Sequence, residues 1–277
     1  MALKAGFAEV DITPDRSQAR GARGTHKIGW LKTTVADKVL DPLFARVAVF
    51  EAARTRVGIA QLDTLCVRWT TVADIRKRVR KACGLPGRSL LVAATHNHAG
   101  PAVARVGDVP RDDAYVETLV QKVVAAFEQA TAAAQEAEVG FASTFEFDVA
   151  HNRRVLMRDG TVRTHGRFDD PLALCFEGPI DPEVAVIAAR TRGGEPLGAI
   201  VNFACHPTHH GGDGAISAGF PGDLAREMRS RGWPITLYLN GASGNLHTSD
   251  PAHGGADKSK EQVGAILADA AIELIRS

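Results

Sequence analysis

The chain has 277 residues, enough for one large domain or two small ones. Its 45% hydrophobic and 23% charged content is that of an ordinary soluble globular protein. A formal net charge of +1 gives no electrostatic footing for nucleic acid or an anionic membrane surface. No apolar run is long enough to span a bilayer, and no basic-apolar-small signal layout follows Met1. The four cysteines, Cys66, Cys83, Cys175 and Cys205, lack CxxC spacing and read as buried, reduced thiols, so a cytoplasmic protein is expected.

In chain order, residues 5–14 alternate, with Ala8, Val10 and Ile12 on one face of a strand that a proline turn ends. A glycine-rich loop from Gly21 to Gly29 contains His26. Two strands follow, 44–50 and 57–62, and Asp63 closes the second. Val72, Ile75, Val79 and Ala82 form one stripe of a helix over 70–83, which Gly84 stops. The basic run Arg76 to Lys81 lies on that helix as a solvated face. A short buried strand, 90–94, leads into a second helix marked by Tyr115, Leu119, Val123 and Phe127 and capped by Asp112 or Asp113. Residues 139–147 alternate again, and 150–182 read as a long irregular loop. A hairpin pairs 184–189 with 197–203, a helix starts near Pro221, and 234–239 is another buried strand. The last helix carries the capping pattern Ser259-x-x-Gln262 and a stripe of Val263, Ile266, Leu267, Ala270 and Leu274. This mixture predicts one layered α/β domain.

The chemistry concentrates in two clusters that hold five of the ten histidines, each directly after a buried strand. Neutral imidazole is the commonest protein ligand for zinc. In Thr95-His-Asn-His-Ala-Gly-Pro101, His96 and His98 share one face of an extended chain. Both can reach one metal, or one binds metal while the other contacts substrate. In the second cluster, Pro207 holds His206 extended, and His209 and His210 follow. Asp63, at a strand end, is either a ligand or an orienter of a histidine. The small residues of Gly241-Ala-Ser-Gly-Asn245 let a substrate approach the backbone, with amides able to form an anion-binding nest and Ser243 placed as a nucleophile. Arg153, in Asn152-Arg-Arg154, clamps a carboxylate or carbonyl oxygen, or forms a surface salt bridge. Cys205 reads as structural.

Six motifs occur in order: Ala5 to Pro14, Thr95 to Pro101, Asn152-Arg-Arg154, Asn202-Phe-Ala-Cys-His-Pro207, Ser217-Ala-Gly-Phe-Pro-Gly222 and Asn240-Gly-Ala-Ser-Gly-Asn245. Together they resemble the N-terminal part of the neutral/alkaline, non-lysosomal ceramidases, over nearly the whole chain. The resemblance implies a single layered, mixed-sheet α/β domain flanked by helices, ceramidase N-terminal-like, spanning 1–277. It implies Zn2+ on His96 and His206, with His98 on the substrate or its developing oxyanion, Arg153 as a site arginine and Ser243 as nucleophile. Gly241, Asn245 and Asn152 are the matching substrate-binding candidates.

Gly241 stands where ceramidases carry the Asp of Gly-Asp-x-Ser, and Gly219 replaces the Asp of Ser-Ala-Asp. The family's remaining zinc ligands, a Glu and a Tyr, lie in a later part that this sequence does not contain. A third ligand is therefore expected from His98, His209, His210 or Asp63. His209 stands ahead, because Pro207 can fold 206–209 around one ion. A homo-oligomer neighbour or complementing subunit is the competing source. The function expected is zinc-dependent hydrolysis of a non-peptide C–N bond in a small or acylated amide. The alternative is a non-catalytic ceramidase-like remnant that binds a ligand or subunit.

Overall fold

A computed structural model describes residues 2–15, 24–30, 33–254 and 256–277. Gly21, where the glycine-rich loop was expected to begin, lies outside them. Two mixed β-sheets stack face to face, and a pair of helices covers each outer face. The first sheet contains β1 (Lys4–Asp11), β2 (Phe44–Ala52), β3 (Thr55–Leu62), β4 (Leu90–Ala94) and the short β5 (Gln135–Glu136), in the order β4-β3-β2-β1-β5. The second contains β6 (Glu138–Phe145), β7 (Glu183–Arg190), β8 (Pro196–Phe203) and β9 (Thr236–Asn240), in the order β9-β8-β7-β6. All pairings are antiparallel except β3 with β4 and β8 with β9, each at one edge of its sheet.

The period of two along each strand explains why both faces are buried. On β2, Ala45, Val47 and Val49 face α1 (Trp69–Cys83) and α2 (Asp113–Ala132), packing with Ile75, Val79, Leu119, Val123 and Phe127. Ala48, on the opposite face, meets Phe7, Ile200 and Leu237 between the sheets. On β8, Ala199, Val201 and Phe203 face α3 (Gly219–Ser230) and α4 (Lys260–Arg276), packing with Phe220, Leu224, Val263 and Leu267. A fully buried side chain such as Phe127 or Leu267 contributes about 1.5–3 kcal/mol relative to exposure.

The helix ends follow their sequence signals. Asp112 accepts from the Tyr115 amide, and Ser259 with Gln262 forms a reciprocal capping box. Gly84 ends α1 in the left-handed region, φ 68°. The third helix starts at Gly219 rather than Pro221, because the Asp41 carboxylate accepts from the Ala218 amide at 2.6 Å and caps it from a distant loop.

The layered, mixed-sheet α/β domain flanked by helices is as expected, built on these two main sheets. Two expectations need correction. Residues 150–182 are not irregular throughout: Arg154–Met157, Val162–Thr164 and Ala173–Phe176 form a three-stranded sheet, and His151–Asn152 pairs with Leu246–His247. Cys175 is exposed on that small sheet, Cys66 and Cys83 are half-buried, and only Cys205 is fully buried. Among the described residues, no helix is long and apolar enough to cross a membrane.

The sheets approach closely at Gly198, where a Cβ would lie 2.4 Å from the Phe7 ring. Gly198→Ala should lower stability by about 1–3 kcal/mol through overpacking. Phe7→Leu in the same chain should recover part of that loss. Urea denaturation of the three variants measures both, and an unchanged midpoint for Gly198→Ala would contradict the close approach.

Candidate metal centre

Both parallel strand pairs point their C-terminal ends to the same side, and the loops that leave these ends build the site. Leu65 follows β3, His96 and His98 follow β4, His206 follows β8, and Ser243 follows β9. Asn240 ties the two sheets together here. Its Nδ2 donates to the Thr95 carbonyl (3.3 Å) and to Ser243 Oγ (3.1 Å), while its Oδ1 accepts from the Cys205 amide (3.3 Å).

The Nε2 atoms of His96, His98 and His206 converge, with separations of 3.0, 3.0 and 3.3 Å. Each ring is oriented by a main-chain carbonyl on its far side. His96 Nδ1 donates to Leu65 O (2.9 Å), His98 Nδ1 to Gly29 O (2.6 Å) and His206 Nδ1 to Ser243 O (3.0 Å). A carbonyl can only accept, so each Nδ1 must carry a hydrogen. Each neutral ring then presents a lone pair at Nε2. Burial, followed by the neighbouring histidines, lowers the pKa of His98 to about 3, and burial lowers that of His206 to about 4.

Three lone pairs facing one another repel unless a cation lies between them. Three nitrogen ligands at 2.0–2.1 Å from a tetrahedral ion would be about 3.3 Å apart. The donor set, its spacing and its outer hydrogen bonds therefore all fit a zinc-type ion. Backbone strain marks the same place. His96 sits at φ 67°, a region that costs a non-glycine residue about 1–3 kcal/mol.

The third corner of the cluster is His98, not His209. The 208–211 turn sends His209 away, and its Nε2 donates to Lys258 O (2.9 Å) while its ring meets Phe220. His210 pairs with Asp213 (2.8 Å). Asp63 is also outside the group. Its fully buried carboxylate accepts from the Phe44 amide (2.8 Å), Arg46 (3.0 Å) and Gln61 (2.8 Å), a network separate from the three histidines.

Ser243, His96, His206, Leu65, Ala94, Asn240, Gly241 and Gly244 line a cleft of about 380 Å3. Gly241 borders it, but its amide already donates to Phe203 O (3.0 Å), so it does not contribute to an anion nest. Asn245 uses its carbonyl to hold the Arg153 amide (2.8 Å). Asn152 is buried away from the cleft, donating to Gly178 O (2.8 Å) and accepting from the Arg154 amide (3.0 Å), so it positions its loop.

Arg153 reaches the cleft rim, where its Nη2 donates to Gly244 O (2.7 Å). Burial is the main cause that lowers the pKa values of His98, His165, His206 and His247, and the Arg153 charge lowers them further. No carboxylate pairs with it among the described residues, whereas the neighbouring Arg154 pairs with Glu177. Burial pushes the Cys205 thiol up to about 12, which leaves it protonated and unsuited to attack.

Sequence reasoning passed over His165 and His247. The two rings lie 4.9 Å apart. His247 Nδ1 accepts from the Ser249 amide (2.9 Å), which places the hydrogen on Nε2, and Nε2 donates to Thr208 (2.7 Å). The only signal for either was a histidine close to a recognised motif.

No family model and no curated protein matches the sequence. Solved structures do. A crystal structure of neutral ceramidase from Pseudomonas aeruginosa matches the whole chain with a TM-score of 0.79 at 21% identity, and a ceramidase complexed with C2 matches it with 0.80 at 21%. The chain has the neutral ceramidase fold. It spans 45% and 44% of those two ceramidase chains, slightly less than half of their length.

Burial, the main cause, holds His98 at about 3 and His206 and His247 at about 4, all below the free-imidazole value of about 6.5. In metal-free protein the unfolded chain therefore takes up the protons. These histidines add no penalty above about pH 6.5, and stability is lost as pH falls from there toward about 4. The urea midpoint of metal-free protein should be lower at about pH 5 than at about pH 7.5. An equal or higher midpoint at the acid pH would contradict the burial of these rings.

Proposed function

We propose that the chain is a zinc-dependent amide hydrolase of ceramidase type, acting on a non-peptide C–N bond in a small or acylated amide. The observation that carries the reading is the convergence of His96, His98 and His206 Nε2 atoms, each ring fixed by a carbonyl. The ceramidase fold over the full chain supports it. A zinc ion held there would polarise the substrate carbonyl.

In this reading the chain's own residues do the rest. The cleft of about 380 Å3 is large enough for the amide group and its nearest substituents. Ser243 Oγ, fixed by Asn240 Nδ2, attacks the carbonyl carbon. The C–N bond breaks, the amine leaves with a proton, and water releases the acyl group. Arg153, without a carboxylate partner, holds the substrate oxygen or the carboxylate product. The proposed unit is residues 1–277 as one ceramidase N-terminal-like domain. The proposed location is the cytoplasm, where four unpaired thiols persist.

With three histidines from one chain, a partner is not needed as the source of the third ligand. A homo-oligomer neighbour or complementing subunit stays in the reading to cover Phe141, Phe145 and Phe147, which are 71%, 66% and 63% exposed. A second reading, a ligand- or subunit-binding protein without turnover, has one observation in its favour. Ser243 Oγ is bonded to an amide donor rather than to a base.

Protein purified without chelators should contain about one zinc per chain, and His96→Ala or His206→Ala should remove it. Elemental analysis that finds no transition metal would refute the metal reading. Ser243→Ala should reduce turnover by at least about 100-fold with zinc retained. An unchanged rate would leave water as the nucleophile. Arg153→Ala should mainly raise KM, and a loss of stability alone would make it structural.

A further inference from the structure

Two charged side chains near the centre are completely buried, and neither belongs to the histidine cluster. Lys27 and Asp63 are both 0% exposed. Burying a charge is unfavourable unless it is paired and hydrogen-bonded. Each of these two lies within two residues of a carbonyl that orients one of the histidines.

Lys27 Nζ donates to His210 O and Asp213 O, each at 2.6 Å, with the Asp213 carboxylate at 3.6 Å. This anchors the 25–29 segment to the turn that follows His206. Two residues on, Gly29 presents its carbonyl to His98 Nδ1. The fit there is tight, because a Cβ at Gly29 would lie 2.0 Å from His98 O and 2.7 Å from Gly211 O. The segment is wedged between the two histidine loops: main-chain bonds from Ala102 N to His26 O (2.9 Å) and from Ile28 N to Gly100 O (3.4 Å) hold it to the His98 loop, and Lys27 anchors it to the His206 side.

Asp63 does the equivalent for His96. Its carboxylate accepts from Phe44 N, Arg46 Nη1 and Gln61 Nε2, and its amide donates to Phe44 O (3.1 Å). Arg46 is itself held by Glu9 (3.3 Å). These bonds fix the chain as it leaves β3. In the next two residues, Thr64 O accepts from the Asn97 amide (3.1 Å) and Leu65 O accepts from His96 Nδ1.

We infer that Lys27 and Asp63 are positioning residues for the metal centre, each locking the main-chain carbonyl that sets one imidazole. The inference rests on the metal reading above. Neither residue touches the ion. Each sets the direction of a ring that does, so the centre keeps its geometry only while both buried charges keep their partners. Loss of an outer hydrogen-bonding partner typically weakens metal affinity roughly 10- to 100-fold.

The test is the zinc affinity of the full chain, measured by competition with a chromophoric chelator, for wild type, Lys27→Met and Asp63→Asn. Gln61→Leu is a milder variant that removes one donor to Asp63 and one acceptor of Arg46 (3.3 Å) while leaving the Arg46–Asp63 ion pair in place. Leu267→Ala, a core substitution in α4, shows what lost stability alone does to affinity. The expected result is zinc binding weakened roughly 10- to 100-fold in Lys27→Met and Asp63→Asn, and several-fold in Gln61→Leu. Leu267→Ala should keep wild-type affinity while its melting temperature falls. Cobalt-loaded Lys27→Met and Asp63→Asn should also show shifted visible bands, which a purely structural role would not move.

Wild-type affinity in the folded Lys27 and Asp63 variants would overturn the inference and leave the metal reading intact. If those two variants do not fold, Gln61→Leu decides for Asp63, and Lys27→Arg, which keeps the charge but not the fit, decides for Lys27. Wild-type protein that binds no zinc would defeat the metal reading and the inference with it.

Discussion

Three neutral imidazole nitrogens are held at 3.0–3.3 Å from one another with their lone pairs inward. This is an unfavourable arrangement that the surrounding main chain has to enforce. Each ring is kept in place by a carbonyl from a separate segment: Gly29 before β2, Leu65 after β3 and Ser243 after β9. The site is therefore not a property of the two histidine loops alone. It depends on five segments being brought together, and the two-sheet architecture does this by stacking its two parallel edges. Repulsion among the lone pairs suits the cluster to a cation, and burial, which depresses the pKa values of His98 and His206, keeps protons from filling that role near neutral pH.

The same architecture divides the site between its two sheets. His96 and His98 come from the first sheet, whereas His206 and Ser243 come from the second. Asn240 joins the two through Thr95 O and fixes Ser243 Oγ on the wall of the cleft. Arg153 arrives from a third place, the excursion between β6 and β7, and hangs over the rim through Gly244 O. The Gly244 turn thus meets both the arginine and the cleft, so a substrate entering there would contact main-chain atoms, one hydroxyl and one guanidinium. Small residues at Gly241, Ala242 and Gly244 keep that approach open.

Much of this was legible in the sequence because the signals were local. The strand runs of β2 and β8, the alternation of β1 and β6, the Ser259 capping box and the stop at Gly84 are all written within a few residues of where they act. His96 and His206 stood out for the same reason, each directly following a buried strand. The remaining features are long-range. The third ring of the cluster is His98 rather than His209 because the 208–211 turn points His209 at Lys258, more than forty residues away. Asp63 looked free to act as a ligand because nothing local shows that Phe44, Arg46 and Gln61 surround it. The small sheet within 150–182 was missed because its strands are three or four residues long, too short to show a period. The orienting carbonyls were invisible in principle, since every residue has one and only the fold decides where it points.

The most direct test of the central claim is X-ray absorption at the zinc edge on the loaded protein in solution. The account predicts about three nitrogen scatterers near 2.0–2.1 Å, with the outer-shell pattern of imidazole rings and no sulphur contribution. Removal of His98 should reduce the nitrogen count by one. A first shell made of oxygen alone, a sulphur ligand from Cys66 or Cys205, or an imidazole count that His98→Ala leaves unchanged would contradict it.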